Sequence, residues 1–314
     1  MSEFIKQTNE TIAKQNLEAF IQSPALDRLA EMYGNTLPET TVDRIEALSK
    51  IAENYWDFRK GAERQEVDWS DEQLDQEGSE QWNTIFTAAD ELGLVKDSEP
   101  INKNPNYLVI LGGANKAPLD RLRYGLEAID DCEHVVYLGS SRAISDAERE
   151  KANDYAPDAQ TEFDLGSGAF EKLLGAKMTG EYTIERNGDT WGMRMYEYEM
   201  KGQKRTGFVL STPQTIGERR ATTYDNYKFF ADRAELDTHP DKTVVSVTTG
   251  FYTLGQHLPA IQELTLPYGT TVETIGHSAE YTGVKRKPTQ LLQEIKSAID
   301  ASKRLQDAIN VENQ

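Results

Sequence analysis

Hydroxyl side chains, glycines and arginines recur in this 314-residue chain just after short apolar runs. That placement suits the capture of phosphate or carboxylate groups by backbone N–H donors and guanidinium. Gly112-Gly113-Ala114-Asn115 follows one such run, and Arg121 falls on the first turns of the helix beyond it. Ser140, Ser141 and Arg142 follow a second run. The segment from Ser211 to Asn226 follows a third and carries Thr223, Asp225 and Asn226. Thr248, Thr249 and Tyr252 close a fourth. Glycines let backbone approach a ligand closely, and a helix start presents free N–H groups to negative charge. Among nearby carboxylates, Glu162, Asp164, Glu218 and Asp225 are candidates for a general acid or base, with Asp225 and Glu162 foremost.

Several standard chemistries are absent. The four histidines, His134, His239, His257 and His277, are scattered without metal-ligand spacing, and there is neither H-E-x-x-H nor C-x-x-C, so no metal is expected. Gly112-Gly113 matches neither G-x-G-x-x-G nor the Walker A pattern. No G-x-S-x-G elbow is present. The single cysteine, Cys132, sits between acids in Asp130-Asp131-Cys132-Glu133, which oppose its thiolate and make it an inert thiol. Arg219-Arg220 reads equally as a solvated pair on a helix start or as part of the anion-holding set, whereas Lys285-Arg286-Lys287 reads as a surface loop that could steer anions.

The elements that must position these clusters follow from periodicity. Tyr107–Leu111, His134–Gly139, Thr206–Thr212, Lys242–Thr248 and Thr270–Ile275 read as strands separated by helices. Leu119, Leu122, Leu126 and Ile129 give the first helix its three- and four-residue apolar steps. Such alternation implies an α/β fold, a mainly parallel sheet covered on both faces and therefore three-layered, with ligands at the carboxyl ends of the strands. A hairpin at about 181–200, turning at Asn187-Gly188, is an insertion expected to pair with a sheet edge. Before these elements, residues 1–100 read as an all-helical domain with Leu17, Phe20, Leu48, Ile51 and Ile85 inward. The turn-rich Asp97–Pro105 segment sets its boundary with a second domain, 101–314. A long helix from Thr289 to Leu305 closes the pattern.

Composition narrows the partners. The chain carries 34 Lys and Arg against 53 Asp and Glu, a net charge of −19, which repels nucleic acid and anionic lipid. Residues 1–100 hold 9 basic and 22 acidic residues, a balance of −13, against −6 for the remainder. No apolar stretch approaches the ~20 residues that span a bilayer. The first ten residues lack a basic region followed by an apolar core. A cytoplasmic location is expected.

The order of motifs resembles the YdcF/SanA/ElyC-type family of bacterial α/β proteins. Ile110-Leu111-Gly112-Gly113 followed by Arg121 is similar to its opening strand, glycines and arginine-bearing helix. Thr223-Tyr224-Asp225-Asn226 resembles its central T-x-E-N element, with Asp in place of Glu, and Val247-Thr248-Thr249 resembles its late strand end. The family's histidine and arginine after that strand have no counterpart in Phe251–Gln256. The resemblance spans about residues 107–300. It implies a Rossmann-like fold and a nucleotide-like ligand, S-adenosylmethionine included.

The sequence therefore describes a protein that binds a nucleotide-like or anionic small molecule at the strand ends. Gly112, Gly113, Asn115, Arg121, Ser141, Arg142, Thr223, Asn226, Thr248, Thr249 and Tyr252 are the expected contacts. One alternative is a hydrolase or transferase acting on a phosphorylated or glycosyl substrate, with Asp225 or Glu162 as acid or base. The other is a non-enzymatic sensor whose acidic helical part docks a basic partner.

Overall fold

Tyr107–Leu111 (β1) is five apolar residues, all buried, and it lies inside the sheet with a strand on either side. A strand covered on both faces needs such an unbroken apolar run rather than alternation. The computed structural model describes residues 3–62, 67–186, 189–213, 221–236, 239 and 241–312. The chain divides into two compact units. A helical unit comprises 1–98, 250–262 and 277–314, and an α/β unit comprises 99–249 and 263–276.

The other strands are β2 (His134–Ser140), β3 (Lys177–Arg186), β4 (Asp189–Met200), β5 (Gln203–Thr212), β6 (Thr243–Thr249) and β7 (Thr271–His277). They form one seven-stranded sheet in the order β3-β4-β5-β2-β1-β6-β7. β5, β2, β1 and β6 run parallel, while β3, β4 and β5 pair antiparallel as a meander. The fold is thus a Rossmann-like α/β sheet with an inserted hairpin, and β4 joins that hairpin to β5. Its turn at Asn187-Gly188 lies outside the described residues.

The helices of this unit are α5 (Ala117–Ala128), α6 (Asp146–Ala152), α7 (Glu162–Leu174), α8 (Thr223–Arg233) and the short α10 (Leu266–Tyr268). Two contacts show that they cover both faces. A Cβ on Gly125 of α5 would meet Val247 Cγ2 at 2.9 Å and Ile110 Cδ1 at 3.3 Å. From α8, the Tyr227 hydroxyl donates to Ser246 Oγ at 3.0 Å. Ser246 and Val247 are successive strand residues and point to opposite faces. α7 lies on β2 through Gly166, where a Cβ would stand 2.3 Å from Tyr137 Cδ1.

The helical unit contains α1 (Glu3–Ile21), α2 (Pro24–Glu31), α3 (Thr41–Tyr55), α4 (Glu80–Glu91), α9 (Thr253–Ala260), α11 (Ala279–Thr282) and α12 (Pro288–Glu312). Its buried core joins Leu17, Ile21, Leu48 and Ile85 to Leu292, Ile295 and Ile299 of α12. Ser23, Thr40 and Ser79 cap α2, α3 and α4 by accepting backbone N–H bonds. Arg44 is buried and donates to Ile21 O at 2.6 Å, a carbonyl that the end of α1 leaves open, and to Pro38 O in the loop before α3 at 3.3 Å. The C-terminal helix, although it follows the last strand, therefore counts with the N-terminal helices. Among the described residues, no helix is long and apolar enough to cross a membrane.

Gly166 gives the packing a direct test. Gly166→Ala drives a methyl into the Tyr137 ring, and overpacking of this kind costs about 1–3 kcal/mol. That exceeds the ~1 kcal/mol gained from alanine's better helix propensity. Urea denaturation should show a net loss of stability, and an unchanged midpoint would contradict the close α7–β2 packing.

Candidate functional site

Parallel pairing carries the ends of four strands to one rim. Leu111 lies beside Leu138, Ser140 beside Thr212, Gly139 beside Ser211, and Ile110 beside Val247. β1 and β6 are adjacent, and β1 continues into α5 on one face while α8, on the other face, precedes β6. This is a topological switch point, the position where open α/β sheets leave a crevice. The diglycine turn and the start of α8 thus share the rim but belong to opposite faces.

Arg121 reaches from α5 across the ends of β1 and β6. It is 3 % exposed. Nη1 donates to Leu111 O at 2.7 Å and to Gly112 O, while Nε and Nη2 reach Thr249 Oγ1 at 3.4 and 3.3 Å. The guanidinium expected to meet a ligand is engaged by main chain and one hydroxyl. Gly112 donates its N–H to Leu138 O at 2.7 Å, and a Cβ there would stand 2.6 Å from that oxygen. A Cβ on Gly113 would meet Ala117 Cβ at 3.1 Å and Arg121 Nη1 at 3.2 Å. Packing thus requires glycine at 112, while at 113 a side chain would be a tight fit against Arg121. Asn115, at φ 57°, accepts from the Tyr155 hydroxyl through its carbonyl at 2.5 Å. Its side-chain Oδ1 is buried with no hydrogen-bond partner.

After β2, Arg142 is held between two acids. Nε donates to Glu162 Oε1 at 3.0 Å, and Nη2 donates to Glu148 Oε1 at 3.0 Å. Ser140 donates to the other Glu162 oxygen at 2.7 Å. Burial by itself would lower the Arg142 pKa, but the two carboxylates outweigh it and hold it above its ordinary value. Glu162 is thus anchored through both oxygens, as a structural carboxylate would be. Ser141 is half-buried in the same turn. Asp164 caps α7, accepting from Gln160 N and Thr161 N, both at 3.0 Å, and from Arg194 at 2.9 Å. Burial would raise its carboxyl, yet these donors hold it below the usual carboxylate range.

At the start of α8, Asp225 faces back onto Thr222. Its Oδ2 accepts from Thr222 N and Thr222 Oγ1, both at 2.7 Å, and its own N–H returns to Thr222 Oγ1 at 3.3 Å. This is a reciprocal capping box. Thr223 opens the helix, and Asn226 in its first turn has a buried Oδ1 without a partner. At the strand ends, the Ser211, Thr212 and Thr248 hydroxyls are likewise buried and unpartnered, the residues being 2 %, 1 % and 0 % exposed. Ser211 and Thr212 stand out only after burial is known, because a serine or threonine ending a strand carries no signal by its type. Tyr252 belongs to the helical unit. Glu218, Arg219 and Arg220 lie outside the described residues.

Elsewhere, Lys287 donates to Ser70 Oγ at 2.8 Å and Asp75 at 3.3 Å. His257 on α9 shares a 3.0 Å hydrogen bond with Asn16. Burial first, and the Asp131 charge second, push the Cys132 thiol up to about 12, so it stays protonated at neutral pH. A shallow concavity of about 510 Å³ in the helical unit is lined by Arg28, Gly78, Glu80, Asn83, Thr84 and Thr87, with Arg28 paired to Glu91.

The parallel sheet and the strand-end rim mark an α/β protein with a companion helical unit. Residues 5–93 match the model of the Rv3785 N-terminal domain. Over 93 % of its length the chain is 25 % identical to the uncharacterized protein Rv3785 of Mycobacterium tuberculosis, covering 89 % of that protein. It is similar to the same extent to the uncharacterized protein Mb3814 of Mycobacterium bovis. No solved structure matches.

These similarities overturn the resemblance to the YdcF/SanA/ElyC-type family. They extend through the N-terminal helices, which that resemblance did not reach. The physical reason is that its short motifs answer local demands of many parallel sheets. Gly112 is fixed by Leu138 O, Asp225 serves the capping box, and Thr249 meets Arg121.

Two measurements probe this network. Arg121→Met leaves Leu111 O and Gly112 O without a donor, at about 1–3 kcal/mol for each buried orphan. A large loss of stability in chemical denaturation is expected, and a variant as stable as the parent would refute the tie. For Asp164 the folded pKa is depressed, so its contribution is present above the unfolded value of about 3.9. It is lost as pH falls through the lower folded value. Asp164→Asn should flatten the acid limb of a stability-against-pH curve, and parallel curves would count against the assignment.

Proposed function

We propose that this protein binds a small molecule at the carboxyl ends of β5, β2, β1 and β6. The observation that carries the reading is the set of five buried side-chain oxygens without partners at that rim, on Asn115, Ser211, Thr212, Asn226 and Thr248. In folded proteins roughly 90 % or more of buried polar groups are hydrogen-bonded, and an exception calls for a cause. Each unpaired group destabilises the empty protein by about 1–3 kcal/mol, which a bound ligand would offset. The concavity in the helical unit has no such group in its lining.

Binding is favoured over hydrolysis or group transfer because the two carboxylates best placed for acid–base work are tied into local structure. Asp225 seals a helix start, and Glu162 is held by Ser140 and Arg142. A nucleotide-like ligand fits the position of the rim at a switch point.

Thr248→Val is the decisive variant. It keeps the shape while removing the 0 % exposed, unpartnered hydroxyl. The empty protein should be as stable as the parent, or more so, by up to ~1 kcal/mol, since the orphan is gone. Titration calorimetry against a panel of nucleosides, nucleotides and sugars should show at least tenfold weaker binding. A variant that is destabilised, or that binds as well as the parent, would argue against the rim as the site.

A further inference from the structure

We infer that the part of the ligand seated on this rim is an uncharged group rich in hydrogen-bond donors, of the kind a ribosyl or hexosyl moiety presents, and not a phosphate or carboxylate. The inference rests on the rim being the binding site and specifies what it recognises. Three observations lead to it.

Among the described residues, the positive charges at the rim are already paired. Arg121 is turned onto Leu111 O, Gly112 O and Thr249 Oγ1. Arg142 is shared between Glu148 and Glu162, and Lys116, the residue before α5, pairs with Asp154 at 3.4 Å. To meet an anion, Arg121 and Arg142 would have to give up present oxygen partners, and Lys116 would have to share its charge with Asp154.

The helix starts carry acids. Asp120 lies in the first turn of α5, Glu162 and Asp164 in that of α7, and Asp225 in that of α8. The Asp164 and Asp225 carboxylates take backbone N–H groups at those helix starts, and all four acids meet the N-terminal dipole that would otherwise attract a phosphate. In α7 and α8 the capping boxes complete the arrangement. An added anion would face like charge at three helix ends.

The groups left waiting are neutral. Hydroxyls of Ser211, Thr212 and Thr248 can donate or accept, and the amide oxygens of Asn115 and Asn226 accept. Alternation along the strands puts Thr212 and Thr248 on the α8 face with Asn226, and Ser211 on the opposite face. The complement of either set is a molecule offering O–H or N–H donors that also accepts, which describes a polyol. A site built to bond such hydroxyls discriminates strongly against an analogue lacking them, because its own buried groups would then stay unpaired.

Titration calorimetry on the full chain separates the possibilities, using adenosine, glucose and inorganic phosphate as probes at low and high salt. Binding of adenosine or glucose is expected, with a Kd little changed by salt and raised at least tenfold in Ser211→Ala and in Thr248→Val. Comparison of those two probes tells the ribosyl source from the hexosyl one. Phosphate should not bind. Phosphate binding that weakens with salt and is lost in Thr248→Val would overturn the neutral-ligand inference while leaving the rim as the site. Failure of both neutral probes to bind would also overturn it. Binding of any probe that is indifferent to both substitutions would overturn the rim itself.

Discussion

Arg121 is the contact on which the middle of the sheet depends. Its guanidinium reaches the last carbonyl of β1, the first carbonyl of the glycine turn and the final hydroxyl of β6. The strands on either side of the switch point are thereby held at a set separation just where the crevice opens. Such a charge is stable when buried only if hydrogen bonds replace its hydration. Those acceptors therefore cannot be released to a ligand without exposing the sheet's centre to that desolvation. The same constraint explains the glycines: Gly112 must approach Leu138 O and Gly113 leaves room for Arg121.

Around this fixed point the rim contains two kinds of polar group. One kind is fully satisfied: the capping boxes of α7 and α8, the Arg142–Glu148–Glu162 cluster, and Asp164 with Arg194. These hold backbone and helices in place. The other kind, the five unpartnered oxygens, holds nothing in place.

The strands and most helices were readable because their signals are local. Tyr107–Leu111 is a short continuous apolar run ending in glycines, as a doubly covered strand requires, and Leu119 and Leu122 mark the buried face of α5. That the polar clusters after β1, β2, β5 and β6 share one edge was readable, since parallel strands end on the same side. Their individual roles were not. Arg121 and Asp225 have the chemistry of ligand contacts, yet burial turned one onto main chain and helix capping claimed the other. Conversely, Ser211 and Thr212 became noticeable only through what they lack.

By itself, the sequence determined the alternation of elements, the acidic N-terminal helices and the edge of the sheet where polar residues collect. Each of these follows from periodicity and charge within a few neighbouring residues. The tertiary structure alone decided which polar groups spend their hydrogen bonds on the fold and which keep them, because that depends on partners many positions away in the chain. Thr249 lies 128 residues from Arg121. It likewise decided that α12 joins the first helices: an apolar stripe shows that a helix must be covered, and only packing selects the surface that covers it.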